Sequence, residues 1–270
     1  MNNEYMERFR KESLRKSQLK MLGILEKVDK VCKEQNITYW IEGGTLLGAM
    51  RHGGFIPWDD DLDISMMRDD YNRFQEVAAD LLPADLFMQN RKTDTDFFHL
   101  ECKIRDLNSY IADGGDDNSL KYQKGIFIDI FPYDEAPGKW HKFMGKIARQ
   151  TCVADVALNT VHHLTWTTEL QFLYFKMKLP ILRLIWKLGT AMTKNGKFVA
   201  IDPRLSWCRA IHRRESIFPL TEVEFEGKKF PAPALPDEYL TKLYGNWRQI
   251  PPKEKQQIHS QIIIPQLVEE

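Results

Sequence analysis

Leu19, Leu22, Leu25, Val28 and Cys32 recur at three- and four-residue steps, which predicts a helix over 14–35 with one apolar face. The β-branched and aromatic run at 37–41 reads as a buried strand, broken by Gly43-Gly44. Thr45 is placed to cap a short helix through Leu46, Leu47 and Met50. A second strand, 62–66, leaves a run of aspartates, and Tyr71, Phe74, Val77 and Leu81 mark the inward face of a helix over 68–82. Between 99 and 105 the alternation is clean. Leu100, Cys102 and Ile104 point one way, and His99, Glu101, Lys103 and Arg105 the other. Residues 109–112 are expected to return as the second strand of a hairpin. A Gly/Asp-rich loop at 113–118 then precedes a strongly apolar strand, 125–131, stopped by Pro132.

Residues 140–215 read as mostly helical. Within them, 170–188 is apolar except for Lys176, Lys178, Arg183 and Lys187, and Pro180 divides it. It falls short of the ~18 uninterrupted apolar residues of a membrane span, and its pattern suits either a buried helix pair or a helix lying on a membrane surface. Glu226-Gly227 forms a hairpin turn, and helices around 239–243 and through His259 close the pattern. The whole is a mixed α/β chain.

Composition changes this picture little. Of 270 residues 43 % are hydrophobic, enough for a core, and Lys+Arg and Asp+Glu balance at 38 each, which argues against a nucleic-acid binder. The cysteines Cys32, Cys102, Cys152 and Cys208 lack metal-site spacing and read as buried free thiols. The polar N-terminus carries no secretory pattern, so the expected location is the cytoplasm, with the inner face of the cell membrane open to the 170–188 segment.

The candidate chemistry lies in Asp59-Asp60-Asp61 and the strand after it. Asp61 and Asp63 are two apart, so both carboxylates emerge on one face, where they repel unless a cation sits between them. Hard oxygen ligands of this kind suit Mg²⁺, with Mn²⁺ as a substitute. Asp129, inside the otherwise apolar IFIDIF, is costly unless paired or functional, and beside the 62–66 strand it would complete a three-carboxylate site. Gly43-Gly44-Thr45 at a strand-to-helix junction offers backbone N–H groups to a phosphate.

The stretch IEGGTLLGAMRHGGFIPWDDDLDISM resembles the signature of the LicD family of phosphotransferases, which includes bacterial phosphocholine transferases and animal fukutin-related proteins. IDIFPYDEAP at 128–137 and LPDEYLTKLYGNWRQIPPKEKQQIH at 235–259 extend the resemblance. It implies a nucleotidyltransferase-like mixed sheet flanked by helices: a single domain over 1–270, with a core of about 14–138 and 216–265 and a largely helical insertion of about 140–215.

By the same resemblance Asp61, Asp63 and Asp129 bind metal and carry catalysis, with Asp59 as a further acidic position. Gly43, Gly44, Thr45, Arg51 and His52 form the donor phosphate site. Trp58, Lys103, Arg105 and His259 are further candidates for substrate contact, and Tyr244 and Trp247 for shaping the site. The implied reaction transfers a phosphorylated alcohol, choline first, from a CDP-alcohol to a sugar hydroxyl of a cell-surface glycan or teichoic-acid precursor, the acceptor being lipid-linked in some family members. Two alternatives stand beside it: transfer of a nucleotidyl group from an NTP, and a non-catalytic nucleotide-binding domain.

Overall fold

The computed structural model describes residues 3–113, 121–159, 165–192, 196–205 and 210–267. Helix α1 (Asn3–Glu34) leads to the short strand β1 (Trp40–Ile41), helix α2 (Gly43–His52), strand β2 (Asp63–Met67) and helix α3 (Arg68–Leu81). Strands β3 (Leu86–Gln89), β4 (Cys102–Asp106), β5 (Tyr110–Asp113) and β6 (Phe127–Glu135) follow, then helices α4 (His141–Asn159) and α5 (Trp166–Met192). The last elements are β7 (Phe198–Ile201), β8 (His212–Arg213), α6 (Arg214–Ile217), β9 (Thr221–Phe225), β10 (Lys228–Ala232), α7 (Pro236–Tyr244) and β11 (Ser260–Ile264). Cys208 and most of the 113–118 loop lie outside the described residues; Cys32 and Cys102 are buried free thiols, and Cys152 is a half-buried one.

The main sheet runs β1-β2-β6-β4-β3, with β7 joined to β6 and β8 to β7. Only the β2–β6 pair in it is parallel. One face is apolar: Leu62, Ile64, Met66, Cys102, Ile104, Ile128 and Ile130 are fully buried in one core with Met21, Ile24, Leu25 and Val28 of α1 and Phe74 and Ala78 of α3. Each such side chain contributes about 1.5–3 kcal/mol of transfer free energy, which fixes strand register, because a one-residue slip would turn every one of them to the other face. The opposite face therefore carries Asp63, Asp129, Lys103 and Arg105.

Several expectations are corrected. The strand at 37–41 shrinks to two residues because Ile37 N–H still donates to the Cys32 carbonyl and Asn36 takes a left-handed φ of 52°. Strand β6 does not stop at Pro132 but continues to Glu135. Pro132 lies on β6 between the last pair with β4, at Ile130, and the first with β7, at Tyr133. Its carbonyl accepts from Asp202 N–H on that edge, so the N–H it lacks falls where no strand needs it. Residues 109–112 do not return on β4, whose two edges are already taken by β3 and β6. They pair instead with the β-branched run of β11, and the expected helix through His259 is only a 3-10 turn at Lys253–Lys255.

The helices of the 140–215 region end at Met192, and β7 and β8 return to the main sheet. Pro180 does not divide α5. Lys176 and Pro180 are both exposed, so the carbonyl left without its N–H partner faces solvent. The β9–β10 hairpin turns at Glu226 and Gly227, both at positive φ (53° and 74°), as a two-residue hairpin turn requires.

Candidate active site

The parallel register sets Asp63 directly beside Asp129. Asp129 N–H donates to the Leu62 carbonyl at 2.8 Å, locking the two strands just where Asp61 enters. Helix α2 starts against the same spot. Glu42 N–H donates to the Asp63 carbonyl at 3.0 Å, and Asp63 N–H donates to Thr45 Oγ1 at 2.8 Å. Thr45 thus ties the first turn of α2 to β2. It does not cap the helix, whose N-cap is Glu42.

The glycine pair has a measurable reason. Gly43 holds φ +52°, and a Cβ on it would lie 3.1 Å from Asp63 Oδ2 and 3.6 Å from the Tyr244 hydroxyl. A Cβ on Gly44 would lie 2.8 Å from Asp59 Oδ2 and 4.0 Å from Asp61 Oδ1. The two glycines therefore let a helix N-terminus close on a group of carboxylates, whose negative charge its N–H groups and dipole favour. The loop before them is held by Gln18 of α1, whose amide donates to the Ile56 and Asp59 carbonyls at 3.2 and 2.9 Å.

Electrostatics set this cluster apart. Burial, then the Asp61 and Asp60 charges, push the Asp59 carboxyl far above the ordinary range. Burial and Asp129 raise Asp61; burial, Asp61 and Asp129 raise Asp63 strongly. Burial also raises Asp129, against the pull of Lys103. Lys103 Nζ sits 2.5 Å from Asp129 Oδ1, 4.0 Å from Glu101 Oε1 and 3.7 Å above the Phe127 ring. It is buried, not solvated as charged residues on a sheet face usually are. The four aspartates are short of positive charge, Lys103 pairing only with Asp129, and their hard oxygen donors fit a divalent cation in kind. Among the described residues no three of them already converge on a single ligand point.

The other candidates separate. Tyr244 belongs to the site: burial and the charges of Asp63, Glu42, Asp59 and Asp61 all raise its phenol. Arg51 and His52 lie at the far end of α2 from the glycines. Arg51 donates to His52 Nε2 and to the Trp247 carbonyl at 3.0 Å each, pinning the C-terminal segment, and His52 meets Trp58 edge-on. Arg51 still lies within electrostatic reach of Asp59 and Tyr244. Trp58 packs against the core, and Trp247 is buried with its indole N–H on Asp237 at 3.1 Å. Arg105 donates to Gln89 and to the Gly125 carbonyl, with its guanidinium 4.7 Å from the Phe127 ring centroid, and its charge acts on Asp129. His259 lies 3.4 Å from Asp60, which also takes Ser260 N–H at 2.5 Å; Asp60 thereby anchors β11 at the rim of the site.

Glu42 is the residue sequence reasoning passed over. Its carboxyl is buried, accepts from Ser65 Oγ and from Tyr133 Oη at 2.9 Å, and Tyr133 in turn pairs with Tyr239 at 2.8 Å. Burial pushes it up to about 7 against those hydroxyl donors. A carboxylate ending an apolar run, YWIE, was the available signal.

Residues 36–181, more than half the chain, match the family model described as LicD/FKTN/FKRP, nucleotidyltransferase domain. Lipopolysaccharide cholinephosphotransferase LicD of Haemophilus influenzae is 30% identical over 272 residues, 93% of this chain and 97% of the relative. The chain belongs to the LicD family. Ribitol 5-phosphate transferase FKRP of Homo sapiens is 31% identical over 93 residues, 33% of this chain but only 17% of that longer LicD-family protein. The match to the family model spans all four clustered aspartates, Glu42 and the Gly43-Gly44 pair that opens α2.

Proposed function

We propose that this LicD-family chain is a transferase that moves a phosphorylated alcohol from a CDP-alcohol, CDP-choline first, onto a sugar hydroxyl of a glycan, releasing CMP. The observation that carries the reading is the register pair Asp63–Asp129 with Asp61 against the glycine-opened end of α2. Its support in kind comes from two relatives named for transferring phosphorylated alcohols.

Asp61, Asp63 and Asp129 would hold Mg²⁺, with Asp59 as a further acidic group beside them. When bound, the cation neutralises charge on the transferring phosphoryl group. The chain's own residues do the rest. The N–H groups of the first turn of α2 face the phosphates, and Lys103 orients Asp129 and opposes the rise that burial imposes on it. The acceptor hydroxyl oxygen forms the new bond to the β-phosphorus while the bond to the bridging oxygen of CMP breaks, and Asp129 takes the hydroxyl proton.

The test is CMP release by purified protein with Mg²⁺ from CDP-choline, CDP-ribitol and CDP-glycerol, with oligosaccharide acceptors present. CMP from one donor, absent with Asp63→Asn, supports the reading and identifies the alcohol. Pyrophosphate from an NTP, with no CMP from any donor, would overturn it.

A further inference from the structure

Helix α5 carries two apolar stripes. Leu179, Leu182, Trp186 and Gly189 are buried and pack toward α4 and the sheet, in a second core with Met144, Ile147, Ala148, Ala200 and Ile211. On the other side, Trp166, Leu170, Leu173, Met177, Ile181, Leu184, Leu188 and Met192 recur at steps of three and four residues, and every one is more than half exposed. At 3.6 residues per turn the stripes lie on roughly opposite sides of one helix. A surface helix normally presents a polar face to water, so an unbroken apolar row along the outside of α5 is a surface made to be covered.

Charge indicates what covers it. Lys176, Arg183 and Lys187 border the exposed row on one side and Lys178 on the other. Across α4 and α5 seven basic residues meet only Asp155 and Glu169, whereas the whole chain is neutral. Asp155 is buried and pairs with Arg91 and Arg183, so it offsets none of the flanking lysines. A second copy of this face would set lysines against lysines across a two-fold axis. An anionic phospholipid surface fits both features: apolar side chains enter the headgroup boundary while the flanking lysines reach phosphates. No helix among the described residues is long and apolar enough to cross a membrane, so α5 would lie along the surface.

We propose that the exposed face of α5 docks the protein on an anionic phospholipid bilayer, whatever donor the active site uses. The test is flotation of the full chain with vesicles of phosphatidylcholine alone and of a phosphatidylcholine–phosphatidylglycerol mixture, at low and high salt, with sedimentation velocity alongside. Binding to the mixed vesicles that exceeds binding to the neutral ones and weakens with salt is expected. Met177→Glu, on an exposed position, lowers it about tenfold or more. Lys187→Gln lowers it about fivefold on mixed vesicles only. Equal binding by wild type and Met177→Glu, or no binding by a protein whose circular dichroism shows it folded, overturns the proposal. So does a dimer that Met177→Glu dissociates in the absence of vesicle binding, which would assign the face to a second copy.

Discussion

Two clusters of partly buried charge straddle the same parallel strands. At one end of β2 and β6 lie Asp59, Asp61, Asp63 and Asp129, of which only Asp129 is paired with Lys103. At the other, Arg68 and Arg204 grip Asp134 and Asp202: Arg68 reaches both aspartates at 2.6 Å, and Arg204 reaches Asp202 at 2.6 Å. The second cluster matches two guanidiniums with two carboxylates. Burial opposes ionisation of Asp202, yet the Arg204 and Arg68 guanidiniums hold it below the ordinary carboxylate range. In the first cluster the carboxyls are pushed up. A protein can bury charge on one pair of strands in both ways, and the difference separates an arrangement that is complete by itself from one that is complete only with something bound.

Mutations should break this contrast unequally. Asp63→Asn or Asp61→Asn is expected to lower turnover about a thousandfold or more. Thermal melting without divalent cations should show no loss of stability, since a repelling charge has gone; a marked fall would make the cluster structural. Asp202→Asn should do the reverse, costing about 3 kcal/mol in urea unfolding because it leaves two guanidiniums underpaired, while the folded fraction stays active. Lys103→Met should cost about 2 kcal/mol and much of the activity. Adding Asp129→Asn to it should recover the stability and none of the turnover, a coupling that a double-mutant cycle reads directly.

The smallest effect concerns a buried group with neither kind of company. His212 stacks on Tyr239 at 4.2 Å, and burial drives it down to about 3 from an ordinary 6.5. Below pH 6.5 the unfolded chain takes up a proton that the folded chain refuses, so stability falls with pH through that window and not above it. His212→Phe should flatten this acid slope in denaturation midpoints measured from pH 7 to 4.

Much of the site could be read because it rests on local rules. A two-residue spacing aims Asp61 and Asp63 together, and an aspartate in IFIDIF demands a partner. Strand alternation likewise sorted Lys103 from Cys102 and Ile104. What escaped depends on distant chain segments. Glu42 acquires its role only when Tyr133 and, behind it, Tyr239 of α7 arrive. The bond from Arg51 to the Trp247 carbonyl likewise joins segments too far apart for any local pattern to record. The fate of 109–112 was decided by which edges of β4 remained open, and no periodicity within those residues records that.

The register of β6 with β7 has a consequence for how such a chain can vary. Glu135, where the chain leaves the sheet for α4, is the direct partner of Val199, where it has just returned from α5. The two ends of the helical hairpin therefore meet, and the hairpin carries its own small core. Its length and outer surface can be rewritten as a cassette. The aspartates, whose alignment is fixed earlier along β6, would keep their places while the enzyme acquires a new address.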